Sequence, residues 1–368
     1  MKPLTETDLK ILRALQYNPR ISYAELAAEL KVTPPTAKTR VESLTERKIL
    51  KNSYAIYSPE ALGLSRFKVL FQVAPSSSKL ISLEKALDIH PYTHYRTRFY
   101  GDRLGLFSDF DISERGQKLL VAFLDGLKKL EIIESYQMTK STGIRVSTFP
   151  DLNVWNPNDA SWQYNWESWE KQLESPDLSL KIPGPRPDHG PFDQLTLQLL
   201  SEVTLNADVK QTVHARKYGV SRSTISKKMD FIYRNLITDV WSYFERRYFD
   251  LNSYKCFCSS SSDNKTVNSL IRTLLGDKKP PFRINLDVTE NGLYMVVNMP
   301  TYHESQIVYR IIDHFPDTKI LTLDINTPSG VTYPFYDVNY IANKDTWKLT
   351  REYVVDRPLE ILKKEINA

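Results

Sequence analysis

The densest groups of chemically capable side chains lie in two short stretches rich in hydroxyls and cations. The first, TPPTAKTRVESLTERKILK at 33–51, offers Thr33, Thr36, Lys38, Thr39, Arg40, Arg47, Lys48 and Lys51. The second, SRSTISKK at 221–228, offers Ser221, Arg222, Ser223, Thr224, Ser226, Lys227 and Lys228. Hydroxyls donate to phosphates and base edges, lysines neutralise phosphates, and an arginine guanidinium grips a guanine edge with two parallel bonds. At the start of a helix such a set is the chemistry of duplex DNA reading. The plainer alternative is a solvated basic face on a module that serves protein contacts.

Other chemistry is thinly represented. There is no phosphate loop, no nucleophile elbow and no Cys/His spacing for zinc. Cys256 and Cys258 stand one residue apart on an expected strand, so their side chains share a face in a geometry poor for a disulfide, and a reducing compartment fits them. The histidines are scattered, with only His90 and His94 close together. The reading therefore expects no enzyme activity, no cofactor and no metal. In 368 residues, 49 Lys and Arg stand against 44 Asp and Glu, a net charge of +5 that permits a polyanionic partner without requiring one. The N-terminus lacks an apolar core of signal-peptide length and no stretch is apolar enough to span a bilayer, so a cytoplasmic, nucleoid-associated protein is expected.

The elements that must position the basic stretches follow from caps and periodicity. Thr5 precedes a helix with Leu9, Ile11, Leu12 and Leu15 at helical spacing, and Ser22 with Glu25 forms a capping box for a second. Thr33 caps a third, with Pro34 at its first position, where a missing N–H costs nothing. The alternating segment after Leu50 reads as a wing, completing a winged helix-turn-helix over 1–64. Residues 65–145 then run strand, helix, strand, strand, helix, strand, the order of a ferredoxin-like sandwich. A Pro- and Trp-rich acidic linker covers 146–190, in which Trp162, Trp166 and Trp169 predict a short amphipathic helix docked by its aromatic face.

The plan then repeats. A second winged helix-turn-helix is expected at 191–250 and a second sandwich at 251–326, with Asp8 and Asp193 offset by 185 residues and Val32 and Val220 by 188. The remaining 327–368 form a C-terminal extension with no visible counterpart in the first half. The predicted fold class is α+β, with two winged helix-turn-helix and two ferredoxin-like βαββαβ domains in tandem.

The run from Leu4 to Leu50, the phrase YAIYSPEALGL and the βαββαβ order after it resemble the Lrp/AsnC (leucine-responsive, feast/famine) transcription regulators, well over residues 4–142 and by architecture beyond. The resemblance implies recognition helices in the major groove of double-stranded DNA and a sandwich that dimerises and senses a small molecule such as an amino acid. It implies an effector site at the turn after the second sandwich strand, here Tyr100, Gly101 and Asp102 in FYGDRLGLF; the second half has Asn291-Gly292, a hairpin signal, at that place. Two such units in one chain imply a covalent pseudo-dimer facing an asymmetric site, compatible with further homo-oligomerisation. Siroheme decarboxylases are similar in fold, and YTHYRTRFYGDRLGLF partly matches their pattern through Thr93, His94 and Arg98, with Tyr100 where a second histidine is expected. That similarity supplies the alternative, a tetrapyrrole enzyme.

Overall fold

The computed structural model describes residues 4–101, 103–260, 263–324 and 330–366. The first helix-turn-helix comprises α1 (Glu6–Tyr17), α2 (Tyr23–Leu30) and α3 (Pro34–Glu46). Thr5 and Ser22 form reciprocal capping boxes with Asp8 and Glu25, and the Thr33 hydroxyl accepts from the Thr36 amide. Each cap satisfies amides that the first helical turn leaves without partners. Then come β1 (Leu50–Tyr57), β2 (Ser65–Val73), α4 (Ser77–Ile89), β3 (Thr93–Tyr100), β4 (Leu104–Ile112), α5 (Gln117–Lys129) and β5 (Ser135–Ser147). The linker folds into a small hairpin, β6 (Trp155–Asn156) and β7 (Ser161–Trp162), followed by α6 (Trp166–Glu174). The expected amphipathic helix is there, but it begins at Trp166, because the Asn165 side chain caps the Ser168 amide and leaves Trp162 in the hairpin.

The second half repeats this order with α7 (Gln194–Leu205), α8 (Gln211–Tyr218), α9 (Arg222–Phe231), β8 (Ile237–Phe244), β9 (Ser253–Ser259), α10 (Asn264–Leu275), β10 (Arg283–Thr289), β11 (Gly292–Met299), α11 (Glu304–His314) and β12 (Lys319–Leu323). The tail holds β13 (Val331–Thr332), α12 (Tyr336–Asn339), β14 (Tyr340–Ile341), β15 (Thr346–Trp347), a π-helical turn at Glu352–Asp356 and α13 (Arg357–Ile366).

The halves are interlocked at three levels. The strand that follows each helix-turn-helix finds its partner in the other half: β1 and β8 pair antiparallel, Tyr54 opposite Trp241. The two sandwich sheets join at both edges, β5 to β10 and β3 to β12, closing eight strands into a hydrogen-bonded ring, with β13 sharing the edge of β3. The cores are crossed as well. One cluster unites the first sandwich (Phe67, Phe71, Leu83, Phe123) with the second helix-turn-helix (Leu199, Ile225, Met229) and the tail. Its counterpart unites the second sandwich with the first helix-turn-helix (Leu12, Leu26, Leu44) and the linker tryptophans.

The tail does have a counterpart, contrary to the sequence reading: it is the linker. Trp155 and Trp162 of the linker hairpin and Tyr340 and Trp347 of the tail hairpin match at a constant offset of 185 residues. The Trp162 indole donates to the Phe249 carbonyl and the Trp347 indole to the Leu62 carbonyl, each in the other half. The hairpin positions stay aromatic, but Trp166 and Trp169 of the linker helix are replaced by Arg351 and Val354, which hides the repeat in the sequence.

The ring encloses side chains that alternate with those facing the helices. At one end Arg66 holds Asp111 by two bonds of 2.7 and 2.6 Å, Lys68 lies 3.1 Å from both Asp109 and Asp287, and Arg145 binds Glu60 and Asp287. A bulge in β5 with Gly143 at φ 83 lets both Ser141 and Arg145 reach Asp287. The other end is apolar, with Leu70, Phe99, Phe107, Tyr294 and the two cysteines, whose sulfurs are 3.4 Å apart.

Candidate nucleic-acid interface

Helix α3 begins at a Thr33 cap whose hydroxyl also meets that of Thr36 at 2.8 Å, and α9 begins at Ser221, whose hydroxyl meets that of Thr224 at 2.9 Å. In these places the hydroxyls are caps before they are contacts. One cation of each helix is also committed: Arg40 lies 3.4 Å from Asp8, and Lys228 lies 2.5 Å from Asp193, each tying the third helix of its unit to the start of the first. Arg47 reaches Asp8 and the Tyr248 hydroxyl, and Lys51 reaches Glu245, so both link the first unit to the segment after β8. These carboxylate partners carry no sequence signal of their own.

The remaining predicted residues face outward. Thr33, Thr36, Lys38, Thr39 and Lys48 are exposed in the first unit, although Lys38 lies 3.7 Å from Glu42. Ser221, Arg222, Ser223 and Lys227 are exposed in the second, Thr224 and Ser226 are half-buried, and Arg222 and Lys227 have no carboxylate within ion-pair distance among the described residues. Both units are net positive, but their second and third helices differ in the sign of their charge. Helices α2 and α3 carry Lys38 and Arg40 against Glu25, Glu29, Glu42 and Glu46, whereas α8 and α9 carry Arg216, Lys217, Arg222, Lys227 and Lys228 against Asp230. A polyanion is therefore drawn more strongly to α8 and α9 than to α2 and α3.

The expected effector turn is open: Tyr100 is exposed, a side chain at Gly101 would meet nothing within 4 Å, and Asp102 lies outside the described residues. The equivalent hairpin in the second half borders a cavity of about 550 Å³ between Gln137–Thr139 of β5 and Asn291-Gly292. There a Cβ on Gly292 would sit 2.1 Å from the Ser259 carbonyl, so glycine is required for the close approach.

The residues matched to the decarboxylase pattern do not form an open site. Thr93 is fully buried, and one edge of the Arg98 guanidinium, Nε and Nη2, donates to both oxygens of Glu84 at 2.9 and 2.7 Å. Burial, reinforced by the nearby charge of Arg66, lowers His94 from 6.5 to about 3, so its imidazole stays neutral beside Tyr57 and Asp111. Burial alone would raise Asp111, but the charge and hydrogen bonds of Arg66 outweigh it and hold the carboxyl well below its ordinary range.

Comparison with known proteins bears on these features. Residues 4–45 match the model of the AsnC-type helix-turn-helix domain. The HTH-type transcriptional regulator Ptr1 of Methanocaldococcus jannaschii is 33% identical over 96 residues, which are 24% of this chain and 65% of that relative's length. The chain thus spans just under two thirds of the curated relative it matches. The crystal structure of the siroheme decarboxylase NirDL is similar along 99% of this chain and 100% of its own, at 13% identity and a TM-score of 0.50. Its co-complex with an iron-uroporphyrin III analogue gives a TM-score of 0.51 over 98% of this chain. The expectation of no enzyme activity is overturned by this likeness: an enzyme uses the same architecture from end to end, and a fold does not decide between reader and catalyst. Among the described residues no helix is long and apolar enough to cross a membrane. In its N-terminal part the chain is thus similar to transcription regulators of the AsnC type, residues 4–45 matching the AsnC-type helix-turn-helix domain.

Proposed function

We propose that the protein is a DNA-binding transcription regulator that works as a covalent pseudo-dimer, with α3 and α9 presented to one duplex and an effector modulating the pair. The observation that carries this reading is the pairing of β1 with β8, which holds two helix-turn-helix units in one fixed relation. Regulators with two such units meet two half-sites about one helical turn apart. Because α8 and α9 carry a basic surplus that α2 and α3 lack, α9 supplies most of the phosphate affinity through Arg222 and Lys227, while α3 contributes Lys38 and hydroxyls to a second, weaker half-site. The preferred site is asymmetric. Fluorescence anisotropy on duplex DNA tests this: the Arg222→Ala/Lys227→Ala variant loses roughly tenfold or more in affinity and flattens the salt dependence by about two phosphate contacts. Lys38→Ala costs less. Equal losses from both variants, or none, exclude the assignment.

A second reading, a siroheme-decarboxylase-like enzyme acting on a tetrapyrrole substrate, is supported by the whole-length likeness to NirDL. It predicts a visible absorption band that persists after incubation with siroheme and desalting, and loss of carboxyl mass from the tetrapyrrole. The commitment of His94 and Arg98 to internal partners requires that other residues do that work.

A further inference from the structure

Neither reading of the function uses the two cysteines. Cys256 and Cys258 stand one residue apart on β9, and both turn into the apolar end of the strand ring beside Leu70, Phe107 and Tyr294. Both thiols are free, and their sulfurs are 3.4 Å apart. Across the sheet Cys258 stands opposite Tyr294 of β11 and Lys319 of β12, and Cys256 opposite Val296 and Leu321. Cys258, 6% exposed, forms part of the wall of the 550 Å³ cavity, and Cys256 is fully buried directly behind it.

Strand geometry decides what such a pair can hold. Positions two apart on a strand are separated by about 6.6–6.8 Å, the upper limit of the Cα spacing that a disulfide spans. The thiols therefore meet by leaning toward each other, and they open again as they stand upright. A bridging ion needs a span between those extremes, because two metal–thiolate bonds of about 2.3 Å placed in line reach about 4.6 Å. The pair thus suits a two-coordinate ion better than an S–S bond. Among the described residues no group of three or more His, Cys, Asp or Glu could hold a metal, so Zn²⁺ and the hard cations, which take four or more ligands, are poorly served. Cu(I) is soft, prefers thiolate ligands and accepts two of them in line.

Charge and access agree with this. Two thiols that bind Cu(I) release both protons, and the bridged pair carries a net charge of minus one. Burial, with the neighbouring Cys256, holds the Cys258 thiol well above its ordinary range, while the charges of Lys68 and Lys319 pull it back. Lys68 is already committed, lying 3.1 Å from both Asp109 and Asp287. Lys319 is exposed, donates to the Gln137 side chain at 3.3 Å and has no carboxylate within ion-pair distance among the described residues. It is available to balance the new charge. A single ion need not enter the space around Cys256, since it is taken at the cavity wall by Cys258 and shared across the gap between the two sulfurs.

We infer that Cys256 and Cys258 form a two-coordinate site for a soft monovalent metal ion, Cu(I), with Lys319 as its charge partner. The site lies inside the strand ring and does not rest on the DNA-binding reading. Anaerobic titration of the reduced full chain with Cu(I) held by bicinchoninate tests it, because that probe loses its visible colour as copper leaves. One copper per chain is expected to transfer, more tightly as pH rises, with two sulfur neighbours in its X-ray absorption spectrum. Cys256→Ala and Cys258→Ser each abolish the transfer while the far-ultraviolet dichroism is retained; should the first not fold, the second suffices, since both thiols are required. Lys319→Gln weakens binding by about fivefold, the effect of one charge in largely aqueous surroundings. No transfer, transfer that persists in a folded single-cysteine variant, a nitrogen or oxygen neighbour on the copper, or unchanged affinity in Lys319→Gln overturns the assignment.

Discussion

Asp111, Asp109, Arg66 and Lys68 look in the sequence like the solvent face of two alternating strands, yet all are buried inside the strand ring. Period-two alternation separates two faces and does not say whether the polar one meets water or a second sheet whose charges complement it. Each charge here is paired, which is what makes its burial tolerable. The histidines next to this cluster and beneath the tail impose a pH dependence. His90 and His94 fall from 6.5 to about 3 on folding, so the unfolded chain takes up their protons first as the medium is acidified. Their contribution to stability is therefore complete above about pH 7 and lost between about 6.5 and about 3, with the depressed Asp111 adding to the loss at the acid end. Urea unfolding at stepped pH reads this directly, and His90→Phe flattens the slope; a midpoint unchanged down to about pH 4 contradicts it.

At the scale of elements, the helices were legible because their signals are local. Thr33 with Pro34, and Ser221 three residues before Thr224, state where recognition helices start, and the structure has both hydroxyls capping as the sequence implies. Sandwich order was legible for the same reason, through alternation and turn chemistry. Pairing between elements was not. That β1 meets β8 depends on contacts some 190 residues apart, and nothing within either strand names the other. The tail was missed as a repeat because Tyr340 stands for Trp155 and Val354 for Trp169, leaving the hairpin geometry and the Trp347 bond as the surviving likeness. The candidate interface was half legible. Residue types gave the cations, but only the structure separates Arg40, Arg47, Lys51 and Lys228, which hold the molecule together, from Arg222 and Lys227, which face outward.

At the scale of the whole molecule, crossed cores mean that neither half can bury its apolar surface alone. The first helix-turn-helix packs with the second sandwich, the second with the first, and two sheet edges join them. Covalent continuity is then needed for assembly more than for cohesion. A protease site placed in the exposed 177–187 segment and cut after folding leaves the two fragments eluting together, whereas fragments that separate under native conditions would refute the interlocked core. The same rigidity bears on the proposed function: two helix-turn-helix units fixed by a shared ribbon would present one spacing to DNA. Hydroxyl-radical footprinting of the intact chain on a selected duplex tests that claim most directly. Two protected patches about one helical turn apart are expected, unequal in strength, the stronger one lost with Arg222→Ala/Lys227→Ala. A single patch, or two equal patches that both survive the double substitution, would contradict it.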